Sequence, residues 1–217
     1  MITSFDLFGT LVEAPRPPAP ATAVAAELEA RDIPVPVDWS DAFSEYHLDL
    51  PEGAELSLPE HTAAALASRG IDPDEQDSSG ASTSERVTQA VLAAFDPEAV
   101  VTRDGAIEAV TAASTLGDVA ILSNCTVPGL VSRTLEQSIL DETCFDAVVS
   151  SVECGWRKPD RRAFEAVVDR LDGSISELVH VGDDPQTDGG ANAVGATSVL
   201  LTKTSLTALP DVLEEAQ

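Results

Sequence analysis

Two hydrophobic patterns take turns along the chain. Short apolar runs at 2–8, 119–122, 147–149, 178–181 and 198–201 predict buried strands, the first of them closed by a turn at Gly9. Between them, apolar residues recur every three or four positions over 105–116, 128–136, 159–171 and 188–194, which predicts helices. Strand and helix therefore alternate, the pattern of an α/β chain with a parallel sheet flanked by helices.

Residues 15–97 break the alternation. The segment opens on the proline-rich APRPPAP, is punctuated again by IPVPV, and carries helical patterns at 21–31, 39–49, 59–69 and 84–95 without a strand. The serine-rich stretch 77–84 reads as the loop feeding the last helix, with Ser82 or Ser84 as its N-cap. Two parts are expected: a sheet domain of residues 1–14 and 98–217, and an all-helical insert of residues 15–97. An insert that follows the first strand stands over that strand's C-terminal end, where open α/β sheets bind ligands. It is placed to act as a lid.

Composition narrows the function classes. In 217 residues, 38 are acidic and 12 basic, a formal net charge of -26. Such a surface repels nucleic acid and anionic membranes, so neither is an expected partner. No apolar run approaches the roughly 18 residues of a membrane span, and the first ten residues, with an acidic Asp6, do not read as a signal peptide. A cytoplasmic location is expected. Cys125, Cys144 and Cys154 are odd in number and lack C-x-x-C spacing, which signals neither a disulfide framework nor a zinc site. Lys158 and Lys203 are the only lysines. Acid excess with lysine scarcity resembles proteins of halophilic archaea, whose carboxylates stay solvated in concentrated salt.

The candidate chemistry sits at the predicted strand ends. Asp6, in FDLFGTLV, can project from the first strand and act as a carboxylate nucleophile. Ser123 and Asn124, in ILSNCTVPGL, lie at a strand-to-helix junction suited to phosphate oxygens or a halide. Lys158, just before Pro159, offers a point charge to an anionic substrate and to the nucleophile. In GDDPQTD, the carboxylates of Asp183, Asp184 and Asp188 call for a neutralising cation, and oxygen-only ligation suits magnesium. His180 falls within a predicted strand, which favours a packed structural role.

In this order and spacing, the four elements resemble the haloacid dehalogenase superfamily of hydrolases, from Asp6 to about Leu201. The resemblance implies a Rossmann-like core with a helical cap between the first and second motifs. It further implies Asp6 as nucleophile, Ser123 as the phosphate-binding hydroxyl, Lys158 as the stabilising cation, and Asp183 with Asp188 as magnesium carboxylates. Magnesium is accordingly expected on Asp6, the Phe8 carbonyl and at least one of Asp183 and Asp188, with Asp184 beside them. Thr10, Asn124 and Phe8 are the expected substrate contacts, and a small anionic metabolite the expected substrate.

One position departs from the pattern. Phosphatases of this family carry a second Asp two residues after the nucleophile, and here that residue is Phe8. Loss of a positioned proton donor removes about two to four decades of rate for a poor leaving group. The aromatic is similar to the 2-haloacid dehalogenase branch, whereas GDDPQTD is similar to the metal-dependent phosphatases. A third branch, the phosphonate hydrolases, needs a cap lysine for an imine, and residues 15–97 contain none. A magnesium phosphatase with an aspartyl intermediate is the leading expectation. A dehalogenase using the same Asp6 and a catalytically weak binding homologue are the alternatives.

Overall fold

The computed structural model describes residues 1–72, 75–76 and 81–215. In chain order its strands and α-helices are β1 (Ile2–Phe5), β2 (Val12–Glu13), α1 (Pro20–Glu29), α2 (Trp39–Ser44), α3 (Leu58–Ala67), α4 (Thr83–Ala94), β3 (Val101–Thr102), α5 (Ala106–Leu116), β4 (Asp118–Ser123), α6 (Leu130–Glu136), β5 (Ala147–Ser150), α7 (Ser151–Cys154), α8 (Arg161–Arg170), β6 (Leu178–Gly182), α9 (Ala191–Val194), β7 (Thr197–Leu200) and α10 (Leu209–Glu215).

Five strands form one parallel sheet in the order β5-β4-β1-β6-β7. The chain winds outward from β1 through β4 to β5, then returns to lay β6 on the other side of β1. This places the reversal of strand order beside β1, the position where such sheets open a crevice at their C-terminal edge. Side chains alternate across the sheet. Val119, Ile121, Val179 and Val181 face a core shared with α5 and α10, while Ala120, Leu122 and Leu178 face Phe164 and Val167 of α8. Helices on both faces explain why the strands read as continuous apolar runs.

Several expected boundaries move. The first strand ends at Phe5 rather than Phe8, although the Asp6 N–H still reaches the Val181 carbonyl at 2.8 Å. Beyond it the Leu7 carbonyl accepts from Thr10, Leu11 and Val12, curling the chain into a turn that carries Phe8 out of the sheet. Helix α2 stops at Ser44 because Glu45 turns to extended backbone, so 45–49 is not helical. Leu130 opens α6 after Gly129 in a left-handed conformation. The last expected helix is a 3-10 turn, Asp188–Gly190, running into the single turn of α9. The two-residue strands β2 and β3, which pair antiparallel, and helix α10 were not expected.

Helices α1 to α4 lie between β2 and β3 and pack on one another, α4 against α1 and α3 with α2 bridging those two. Capping boxes start two of them: Ser57 with Glu60 for α3, and Ser82 with Glu85 for α4. Ser82 is thus the N-cap and Ser84 lies inside the helix. Of the serine-rich loop, 77–80 lie outside the described residues. The segment touches the sheet edge through its own backbone. The Leu58 N–H donates to the Thr126 carbonyl at 2.7 Å, that of Glu55 to Gly155 at 2.9 Å, and that of Arg157 to Gly53 at 3.0 Å. Among the described residues no helix is long and apolar enough to cross a membrane.

Candidate active site

The C-terminal edge of the sheet gathers residues that are far apart in the chain. Asp6 follows β1, Ser123 ends β4, Lys158 precedes α8, and Asp183 and Asp188 follow β6. At the centre is the Lys158 ammonium, 1% exposed as a residue. It donates to Asp6 Oδ1 at 2.9 Å, to the Leu122 carbonyl at 2.8 Å and to Asp188 Oδ1 at 2.6 Å. Three protons meet three oxygens, which satisfies every donor of the ammonium in a buried place.

Asp6 is also buried, and burial is the main reason its carboxyl is pushed above the usual carboxylate range. Lys158 opposes this rise, while the negative charges of Asp188 and Asp183 add to it. Asp188 behaves differently. Burial alone would raise it, but a hydrogen bond with His180 and the Lys158 charge hold its carboxyl below the usual range. The His180 ring lies wholly inside, and burial, aided by the Lys158 charge, pulls it down to about 4, so it is neutral near pH 7. Its Nε2 stands 3.0 Å from Asp188 Oδ1, and its Nδ1 stands 2.7 Å from the Ser4 hydroxyl.

Three of the four carboxylates gather, Asp6 and Asp188 on the Lys158 ammonium and Asp183 near enough to raise Asp6, while Asp184 turns away. Asp188 faces inward: Oδ1 meets Lys158 and His180, and Oδ2 accepts the Asp184 N–H at 2.9 Å. The exposed Asp184 side chain accepts the Gln186 N–H at 2.8 Å, which turns it along its own loop. Among the described residues no three His, Cys, Asp or Glu side chains form a group ready to hold a metal. Asp183 remains close enough to bear on Asp6. Its Oδ1 accepts from the Thr10 hydroxyl at 3.2 Å, and its Oδ2 lies 2.7 Å from where a Cβ on Gly9 would stand. Gly9, at φ +85°, is therefore needed both for its turn and to let the Asp183 carboxylate in. Gly182 has the same relation to Asp188, since an added Cβ would meet its carboxyl carbon at 2.1 Å.

This donor set fits magnesium in a particular way. The ion is bound by one or two carboxylates, keeps several waters and takes substrate phosphate oxygens, so Asp6 and Asp183 suffice without a closed cage. Lys158 already offsets part of the Asp6 charge, and the Asp183 charge that still raises Asp6 is what a divalent cation would neutralise.

The remaining expected residues separate into two groups. Thr10 is fully buried and its hydroxyl serves Asp183 rather than facing outward. Asn124 uses its side-chain amide on the backbone of Lys158, accepting from the N–H at 2.8 Å and donating to the carbonyl at 3.0 Å. Both hold the machinery in place. Ser123, by contrast, is buried with a hydroxyl that has no hydrogen-bond partner among the described residues. A buried orphan hydroxyl at a strand end is what an incoming anion would satisfy.

Phe8 borders a cavity of about 190 Å³ together with Arg16, Glu55, Asn124 and Arg157. Of the insert's arginines, Arg31 pairs with Glu27 and Arg69 with Asp38 and Glu45. Arg86 reaches the Arg31 carbonyl. Arg16 instead stands over the Phe8 ring, 5.0 Å from its centroid. Sequence alone did not single out Arg16 from the other three, nor Ser4, nor the inward role of Asn124. Only the spatial meeting distinguishes them.

A parallel five-stranded sheet with helices on both faces is an α/β fold with a Rossmann-like core, and here it carries a buried aspartate–lysine centre at its carboxyl edge. The family model for haloacid dehalogenase-like hydrolases matches residues 4–195, and the chain belongs to that family. It is similar to a ribulose-1,5-bisphosphate 5-phosphatase of Halopiger xanaduensis, 39% identical over 84 residues. That match covers 38% of this chain and 34% of the relative, so it spans about a third of the relative's length. Among solved structures, a 2-haloacid dehalogenase from Pseudomonas syringae pv. Tomato DC3000 superposes with a TM-score of 0.66 at 18% identity, over 100% of this chain and 99% of the other. A protein described as a predicted phosphoglycolate phosphatase from Haemophilus somnus 129pt gives 0.57 at 14% identity, over 100% and 97%. At these identities the structures speak for the fold.

Proposed function

We propose that the chain is a magnesium-dependent phosphatase that hydrolyses a small phosphorylated metabolite through an aspartyl-phosphate on Asp6. The observation that carries this reading is the Asp6–Asp183 carboxylate pair beside a saturated lysine. Two adjacent carboxylates repel an anionic substrate, and a dehalogenase would have no use for the second one. The phosphatase relative supports the same choice.

In this reading Lys158 holds Asp6 Oδ1, leaving Oδ2 to attack phosphorus as the bond to the leaving oxygen breaks. Ser123 donates its hydroxyl to a phosphoryl oxygen. Water then attacks the acyl phosphate, releasing orthophosphate and restoring the carboxylate. Magnesium between Asp6 and Asp183 would cancel their repulsion and polarise a phosphoryl oxygen. Phe8 gives the leaving group no proton, so the preferred substrates are those whose leaving group needs little protonation, such as acyl phosphates.

Residues 15–97 act as a cap over a core of residues 1–14 and 98–217, with Arg16 meeting the substrate in the cavity over Phe8. The net charge of -26 and the Halopiger relative support a salt-adapted protein, and three free cysteines support a cytoplasmic one.

A second reading, 2-haloacid dehalogenase, is favoured by one observation: Arg16 over Phe8, an aromatic and a cation where a proton-donating acid would otherwise stand. A panel of acyl phosphates, phosphate esters and 2-haloacids in molar salt, with magnesium and with chelator, separates the two. Phosphate release that chelator removes is expected, and Phe8→Asp is expected to speed alkyl phosphates by about two decades. Halide release from 2-chloropropionate that survives chelation, with no phosphate from any ester, would move the assignment to the dehalogenase reading.

A further inference from the structure

We infer that Ser4 and His180 are positioning residues for Lys158, acting through Asp188. The inference rests on the phosphatase reading for what Lys158 does, and on hydrogen-bond geometry for how it is held. Lys158 Nζ gives its three protons to Asp6, Leu122 and Asp188, so its fourth neighbour, His180 Nε2 at 3.4 Å, receives none. The same Nε2 is 3.0 Å from Asp188 Oδ1, an atom that only accepts. A neutral imidazole carries one N–H, and here that proton is on Nε2. Nδ1 then holds a lone pair, and the Ser4 hydroxyl at 2.7 Å donates to it.

The result is a directed chain: Ser4 donates to His180, and His180 to Asp188, the carboxylate that also receives Lys158. Ser4 on β1 and His180 on β6 are register partners in the sheet, so the backbone aims one at the other. Phe164 meets the imidazole edge-on, ring centroids 5.4 Å apart at 78°, which fixes the ring plane. With the imidazole in place, Asp188 Oδ1 has two donors, and Lys158, 2.6 Å from it, still reaches Asp6 at 2.9 Å. Without it, Lys158 is the lone donor to that buried oxygen, and the ammonium is drawn toward Asp188 and off the nucleophile.

Two measurements test this. Long-range ¹H–¹⁵N spectra of histidine-labelled wild-type protein should show His180 protonated at Nε2 and unprotonated at Nδ1. In steady-state assays with acetyl phosphate and magnesium, His180→Leu should lower kcat by roughly 10- to 100-fold, the equivalent of one charge-assisted hydrogen bond, with KM held within about threefold. His180→Gln, whose amide can donate to Asp188, should recover about tenfold of that loss, and Ser4→Ala should fall between it and wild type. A ring protonated at Nδ1 would overturn the inference. So would a folded His180→Leu, or Ser4→Ala and His180→Gln where His180→Leu does not fold, with wild-type kcat and only a lowered Tm, since that is the behaviour of packing alone. Absence of phosphate release from the wild type would sink the phosphatase reading, while the His180 tautomer would still decide this one.

Discussion

The side-chain amide of Asn124 is hydrogen-bonded to both the N–H and the carbonyl of Lys158, 34 residues away, as one strand residue holds another. The lysine is thus fixed from both ends, by Asn124 at its backbone and by three oxygens at its ammonium.

Asn124→Ala should therefore cost activity and stability together. Two partly buried backbone groups lose their partner, worth about 1–3 kcal/mol each when left unsatisfied. Expected results are an unfolding free energy lower by about 2 kcal/mol and a kcat reduced about tenfold or more. Asn124→Asp keeps the acceptor for the Lys158 N–H and loses the donor, so it should fall between the two. Unaltered urea midpoints in both variants would show that the contact carries no load.

Asp6→Asn should abolish turnover and stabilise the fold. Burial raises the Asp6 pKa in the folded state, so above that value the ionised carboxylate opposes folding. An amide removes that opposition, and Lys158 keeps Asp188 and the Leu122 carbonyl as partners. A loss of about four decades in kcat with a raised Tm is expected. Retained activity would end the covalent-aspartate mechanism.

His180 sets an acid limit on stability. Its pKa is about 4 in the folded protein against 6.5 for the free side chain. As pH falls from 6.5 toward 4, the unfolded chain takes up a proton that the folded chain refuses, and stability drops by up to about 1.4 kcal/mol per pH unit. Above pH 6.5 this contribution is flat. Urea unfolding at constant salt should show His180→Gln losing less stability than wild type across that window. Parallel losses in the two proteins would contradict the assignment.

Salt should act in the opposite sense to its usual effect on surface ion pairs. With a net charge of -26, mutual repulsion outweighs the pairs, and molar salt shortens the Debye length to about 3 Å. Tm is expected to rise steeply from low to molar potassium chloride, read by calorimetry. A Tm that does not change would mean that local pairing already balances the acidic surface.

Much of the fold was legible because its determinants are local. The apolar runs that became β1, β4, β5, β6 and β7 are short and closed by turn residues, and Ser82 with Glu85 announces α4 three residues apart. The motif residues were legible as positions, and their directions were not. Asp188 reads as one more carboxylate in an acidic loop until Lys158 and His180 are seen taking its oxygen. Ser4 and His180 lie 176 residues apart, and Thr10 lies 173 from Asp183, so no local pattern could report either bond. Helix α2 ended early for a related reason, since nothing in 45–49 except polar spacing distinguishes a helix from extended chain.

The pairing of β1 with β6 sets Ser4 opposite His180 and Phe5 opposite Val181. Because strand side chains alternate, a slip of a single residue would bring Thr3 or Phe5 to His180 and turn Asp6 to the opposite face from Lys158. A misaligned sheet would still bury apolar residues on both sides, since Thr3 and Ser4 are small enough for either. It would carry no nucleophile beside a cation. Folding to the correct alignment and acquiring chemistry are therefore one event in this chain, and recovery of turnover after refolding reports strand alignment that circular dichroism would not distinguish.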